Sequence, residues 1–283
     1  MLQLQEKFIE AITKDCLLAA TQVRKLIFQL RFNPENKERS NKEIAVRVRK
    51  QLEDAGTIYE SNELKEIIRA LVNKFEDQMI KDEVNVEYLK SNEPGHKGKW
   101  QLVYDWLWQK YFPRWSLETQ WQELVAKADK TDDWLQVEEL TPIPVDRNVG
   151  RLKLPKPTIS LNAYINLIVN WRGKSRYLLL LNQGTSGEKF CICPSKLFAP
   201  SNQLSQQEMR LPQDDVKHPL FFEDQGKEHF LGIVMEQPLE LAWLRPNDQE
   251  DLPALDAGRL HELLEKLELQ GNWQMFYKSF EVV

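Results

Sequence analysis

Apolar positions recur at helical spacing through the first half of the chain and at strand spacing through the second. Phe8, Ile12, Cys16, Ala19, Val23, Ile27 and Leu30 line one side of a segment without Pro or Gly, which predicts a long amphipathic helix over residues 3–31, closed by Pro34. Ser40 followed by Glu43 is a capping box, in which the hydroxyl takes an orphan N–H and the carboxylate reaches back to the cap. A second helix then runs through Ile44, Val48 and Leu52 to Gly56. Ser61 opens a third, with Leu64, Ile67, Ile68, Leu71, Val72 and Phe75 on one side. Val84 to Leu89 reads as a short extended stretch, and Glu93 to Lys99 as a turn. The turn leads into a helix from Trp100 to Phe112 whose aromatics present apolar surface over most of its circumference.

From Ile159 the period changes. Ile159, Leu161, Ala163, Ile165, Leu167, Val169 and Trp171 alternate with mostly polar neighbours, which predicts one strand with a single core face. Arg172 to Ser175 turns the chain into Tyr177–Leu181, and Gly184 to Gly187 turns it into Lys189–Cys193. A polar loop over 194–209 leads to Arg210–Pro212, then Leu220–Phe222, a turn at Gly226 and a strand from His229 to Met235. Asp256 caps a last helix through Leu260, Leu263, Leu264 and Leu267 to Gly271, and Met275 to Val283 closes the sequence as a strand. Pro142, Pro144, Pro155 and Pro157 give residues 138–158 the composition of a stiff linker. The expectation is therefore an α+β protein. A helical domain over 1–137 precedes a β-rich, sandwich-like domain over 159–283 that carries a C-terminal helix.

Length and charge sharpen this picture. With 283 residues the chain has room for two domains that each bury a core. Charged residues at 29% and a mean hydropathy of -0.54 argue against a membrane span. The net charge of -5 resides in the last 37 residues, with 3 basic against 8 acidic side chains, so the remainder is neutral by region. Cys16, Cys191 and Cys193 do not make a disulfide framework and nothing at the N-terminus reads as a signal peptide, so a reducing cytoplasm is the expected home. Cys191 and Cys193 share a strand and offer two thiolates, but no second Cys or His pair follows at zinc spacing; they read as buried strand cysteines, and no metal or other cofactor is implied.

The sequence carries no recognisable catalytic set. Gly173-Lys174-Ser175 ends like a phosphate loop, yet Ile168 stands where its first Gly belongs and no helix follows. Gly184 to Gly187 lacks the frame of a nucleophile elbow, and Asp214-Asp215 and Glu223-Asp224 read as solvated loop carboxylates. No small-molecule substrate is evident, and the reading is of a non-enzymatic chain.

Two features suggest partners. Six of the nine Trp fall between residues 100 and 134. Trp100, Tyr104, Trp106, Trp108, Arg114 and Trp115 belong either to a packed core or to a protein-binding surface, because Trp, Tyr and Arg dominate interface energetics. Lys42, Arg47, Arg49 and Lys50 on the second helix, with His96, Lys97 and Lys99 in the turn, form the nucleic-acid alternative. Ser40 to Ala45 resembles the opening of helices in helix-turn-helix regulators, and the set as a whole resembles a winged helix. The balance of 16 basic against 16 acidic residues over 1–90 weighs against that alternative.

The order of Tyr177-Leu-Leu-Leu-Leu-Asn182, a Gly turn, a strand ending at Pro194, Asn202-Gln-Leu204, Arg210-Leu-Pro212, the Gly226 turn, Phe230-Leu-Gly-Ile-Val234 and Gln237-Pro238-Leu239 resembles the bacterial domain of unknown function 4384. The resemblance covers about residues 160–242. It implies a compact sandwich-like accessory module of bacterial signalling or conflict proteins and carries no catalytic residues. The function expected is a non-enzymatic adaptor of a bacterial signalling, stress or defence pathway that binds a protein partner. A nucleic-acid-binding regulator is the alternative.

Overall fold

Helices in the first half and sheets in the second follow the change of period in the sequence. The structure, a computed structural model, describes residues 1–52, 61–91, 96–140, 158–171, 173–174, 176–204, 208–245 and 250–283. The chain is mixed α+β and divides into two compact units, Met1–Glu118 and Thr119–Val283.

The first unit is helical. α1 (Leu2–Leu17) and α2 (Gln22–Arg31) replace the single helix expected over 3–31. Thr21 makes the break: its Oγ1 accepts the Arg24 backbone N–H at 3.3 Å, a side-chain cap that starts a new helix without any Pro or Gly. α3 (Asn41–Leu52) opens on the expected capping box, with Ser40 N donating to Glu43 Oε2 at 2.8 Å and Glu43 N to Ser40 Oγ at 3.3 Å. α4 (Ser61–Lys81) follows. The stretch expected to be extended is the short helix α5 (Val86–Lys90), because Asn85 Oδ1 caps it by accepting the Tyr88 N–H.

α6 (His96–Trp106), a π-helical turn (Leu107–Tyr111) and α7 (Phe112–Lys127) run on continuously. Pro113 explains the widened turn, since it offers no N–H and its ring crowds the carbonyl one turn back; the Phe112 N–H bonds Leu107 O instead. Residues 96–99 of the expected turn are thus helical, while 92–95 and Gly56 lie outside the described residues.

The second unit is built on two sheets. β1 (Leu135–Glu139), β3 (Ile165–Asn170) and β6 (Glu208–Leu211) form one, in the order β1-β3-β6. β2 (Thr158–Ile159), β4 (Tyr177–Gln183), β5 (Lys189–Cys193), β7 (Gly226–Met235) and β8 (Trp273–Val282) form the other, in the order β2-β8-β7-β4-β5. Leu135, Leu167, Val169 and Leu211 share one core with Leu178, Leu180, Phe230, Val234 and Phe280, so the sheets face each other as a sandwich. On the five-stranded sheet Leu179, Leu181, Leu231 and Ile233 are buried on the opposite parity. The apolar stripe Leu260, Leu263 and Leu267 of α8 (Ala257–Gln270) is buried, and Trp273 Nε1 of β8 donates to Leu267 O at 2.9 Å. Asp256 caps α8 as expected, accepting the Arg259 N–H at 2.8 Å.

Two boundaries differ from the sequence reading. The strand expected over 159–171 is interrupted, because Asn162 takes φ 58, a left-handed geometry that Asn tolerates and that ends the β2 run. The core parity of Ile165, Leu167 and Val169 is as the alternation predicts. The helical domain expected to reach residue 137 is shorter: the division falls inside α7, and β1 pairs with β3 from Leu135↔Val169 to Glu139↔Ile165. Of the expected linker, residues 141–157 lie outside the described residues, as do Arg172, Ser175 and part of the 194–209 loop.

Candidate functional site

The aromatic segment is core before it is anything else. Trp100, Tyr104 and Trp106 are buried, and Trp108 and Trp115 are half-buried against the same cluster. Phe8 of α1 sits among them, its ring centroid 5.2 Å from those of Trp108 and Trp115 and 5.1 Å from that of Phe112. Two of the indole N–H groups are satisfied internally: Trp106 Nε1 donates to Asp82 Oδ2 at 2.7 Å and Trp108 Nε1 to Phe32 O at 2.8 Å. Arg31 stacks over Trp100 at 3.4 Å. Arg114 is exposed, but its guanidinium is held on the Asp82 carboxylate. Burial pushes the Asp82 carboxyl up, yet the hydrogen bonds from Arg114 and Trp106 prevail and hold it below the usual range. Of the six residues expected at a partner surface, then, three are buried, two are half-buried and one is an ion-pair partner.

The basic set is divided. Lys42, Arg47, Arg49 and Lys50 are exposed on α3, and Arg47 Nη1 donates to Asn36 Oδ1 at 3.2 Å. Lys99 is buried. Its ammonium donates to Ser91 O at 2.6 Å and Ser91 Oγ at 3.0 Å beside the Tyr88 ring, so it ties α6 to the end of α5. The side chains of His96 and Lys97 lie outside the described residues. Cys191 and Cys193 are fully buried, and burial raises both thiols. Cys16 is pushed up to about 12. All three cysteines are free.

A site that sequence reasoning passed over lies at one end of the sandwich. A cleft of about 490 Å³ is walled by Phe190, Phe198, Phe221, Phe222, Leu197 and Leu252 and floored by Glu228 and Asn182. Glu228 opens β7 on the parity of Phe230 and Val234, which face the core, and is only 4% exposed. Its carboxyl meets three donors: Asn182 Nδ2 reaches Oε2 at 2.9 Å, while Thr185 N and Thr185 Oγ1 reach Oε1 at 3.3 and 3.4 Å.

Backbone geometry sets Thr185 there. Gly187, with φ 89, closes the β4–β5 turn, and Gly226, with φ 135, leaves room where a Cβ would lie 2.6 Å from Thr185 Cγ2. The segment carrying Phe221 and Phe222 is held by Asn162 N to Phe222 O at 3.0 Å and Ile165 N to Leu220 O at 2.9 Å.

Burial, helped by the neighbouring Asp224 charge, raises the Glu228 carboxyl above the ordinary range, against the lowering effect of its three donors. Glu223 and Asp224 add two exposed carboxylates to the wall, and His218 stands at the rim. Among the described lining residues none is Lys or Arg. The Glu223-Asp224 pair and the Gly184 turn, read from sequence as ordinary loop, are therefore parts of one concave surface. Glu228 and Asn182 had a visible signal: each places a polar side chain on the inward parity of an otherwise apolar strand.

Among the described residues there is no group of three or more His, Cys, Asp or Glu arranged to hold a metal ion. No helix among them is long and apolar enough to cross a membrane. No family model matches the chain, and none of the curated proteins matches it.

Proposed function

We propose that this chain is a non-enzymatic adaptor of a bacterial signalling, stress or defence pathway, and that it binds a protein partner in the cleft at the Asn182–Glu228 end of its β-rich unit. One observation carries the reading. Aromatic side chains, part-exposed at Phe190, Phe221 and Phe222, stand beside a buried hydrogen-bonded carboxyl, the mostly apolar wall with a few convergent polar groups that marks a binding cleft rather than a finished core. Tyr164 extends the surface beyond the cleft, with its exposed ring 5.9 Å from that of Phe221. The resemblance of residues 160–242 to the domain of unknown function 4384 points the same way, toward an accessory module.

The test is affinity purification of the tagged full chain from its native host, beside a Tyr164→Ala/Phe221→Ala variant and a Lys42→Glu/Lys50→Glu variant. The reading predicts a stoichiometric partner retained by the basic-helix variant and depleted about tenfold, or 1.4 kcal/mol, by the cleft variant. Equal recovery by the cleft variant refutes it. Nucleic acid that co-purifies and is lost only with the Lys42 and Lys50 substitutions establishes the alternative.

A further inference from the structure

The cleft's chemistry narrows what it takes. A carboxylate has about four acceptor positions. At Glu228 the Thr185 N–H donates to Oε1 and one donor of Asn182 faces Oε2. The Thr185 hydroxyl, whose single hydrogen is shared between Oε1 at 3.4 Å and Lys227 O at 3.5 Å, stands against Oε1 as well, which leaves the open side of the carboxyl on Oε2. A guanidinium binds carboxylates best through two parallel bonds and finds only one site here, whereas an ammonium is a point charge satisfied by one. Burial raises the Glu228 carboxyl against the pull of its donors, so its ionised form is favoured when a cation is seated against it, and the buried charge calls for one. Phenylalanine walls cannot hydrogen-bond an anion or a sugar, but their faces attract a cation desolvated between them. Glu223 and Asp224 at the wall attract positive charge further.

We infer that the cleft binds the side-chain ammonium of a lysine presented by the partner protein, with Glu228 Oε2 accepting one N–H and the ring of Phe221 covering the aliphatic stem. This rests on the preceding reading that the cleft is the partner site, and it names the chemistry recognised there.

The experiment is a titration of the full chain with the capped pentapeptide Ala-Ala-Lys-Ala-Ala, the same peptide with acetyl-lysine or Arg at the centre, and n-butylammonium alone. Binding is followed by calorimetry and by amide resonances of residues 182–190. The lysine peptide binds saturably and shifts those resonances, and the acetyl-lysine and Arg peptides bind at least about tenfold more weakly, a difference of 1.4 kcal/mol. Glu228→Gln abolishes the preference for lysine. Phe221→Ala, at a 38% exposed position that does not support the core, weakens the lysine peptide about two- to fivefold and serves even if the Glu228 variant fails to fold.

Equal binding of the three peptides, or none by the wild-type chain, overturns the inference. Butylammonium that binds as tightly as the lysine peptide overturns the assignment to a partner segment. If the Tyr164/Phe221 variant still loses its host partner in either case, the cleft remains the partner site and only the lysine assignment falls.

Discussion

Replacing Gly232 by Ala tests whether the two sheets close on each other as described. Gly232 lies on β7 opposite Leu180 of β4 and Phe276 of β8, and its face meets Trp134 beside β1. A Cβ there would stand 2.5 Å from Trp134 Cζ3 and 2.8 Å from Cη2, where real side chains do not approach. Trp134 is 6% exposed and has little room to withdraw. Overpacking of this kind costs about 1–3 kcal/mol, against a backbone gain of about 0.5–1 kcal/mol for Ala over Gly in a strand. The net loss of up to about 2.5 kcal/mol lowers the melting temperature of a unit this size by up to about 10 °C.

Trp134 also buries an indole N–H with no hydrogen-bond partner among the described residues, so Trp134→Phe removes both the clash and that unpaired donor. In that background Gly232→Ala is neutral or stabilising, which gives a coupling of at least about 1 kcal/mol in the double-mutant cycle. The assay is thermal unfolding of the four proteins by circular dichroism. If Gly232→Ala raises the melting temperature equally in both backgrounds, the packing of Trp134 across the sandwich is wrong.

Asp82→Asn weakens the bonds from Arg114 and Trp106 and costs the helical unit about 1–2 kcal/mol at neutral pH, after a discount for the exposure of Arg114. Because the Asp82 carboxyl is held below its usual range, its contribution is present above the unfolded-state pKa and is lost as pH falls through the folded one. Denaturant titrations from pH 7 down to pH 3 should therefore show wild type and variant converging toward acid, and a constant gap would contradict the assignment. Lys99→Met keeps the stem but leaves Ser91 without its donor, and lowers helical-unit stability by about 1–3 kcal/mol. Lys42→Glu and Lys50→Glu on exposed α3 change it by less than about 0.5 kcal/mol. A Lys99 variant of unchanged stability would return that residue to the set free to meet a ligand.

Periodicity carried the architecture because it reports burial directly. Ile44 and Val48, the core parity of Ile165 to Val169, and Leu260, Leu263 and Leu267 all fall where spacing places them. Breaks made by side-chain caps were harder to read. Thr21 and Asn85 start helices with a single hydrogen bond each, and an apolar stripe passes over such a joint without a change of period. β1 was obscured because Trp134 belongs by composition to the aromatic run and by structure to the sandwich.

The candidate site was less legible than the fold. Exposure of Arg114 and burial of Lys99 depend on partners 32 and 8 residues away, Asp82 and Ser91, which spacing does not pair. The cleft joins the ends of β4, β5 and β7 to the 218–224 segment, and only tertiary structure brings these together. What the sequence did offer was Asn182 and Glu228, polar residues at inward positions of apolar strands.

The most direct test of the account is hydrogen–deuterium exchange of the full chain with and without the partner recovered from its host. The account predicts protection concentrated at 182–190 and 218–228, with α3 unchanged. Protection on α3 that leaves the cleft segments exchanging as before would contradict it.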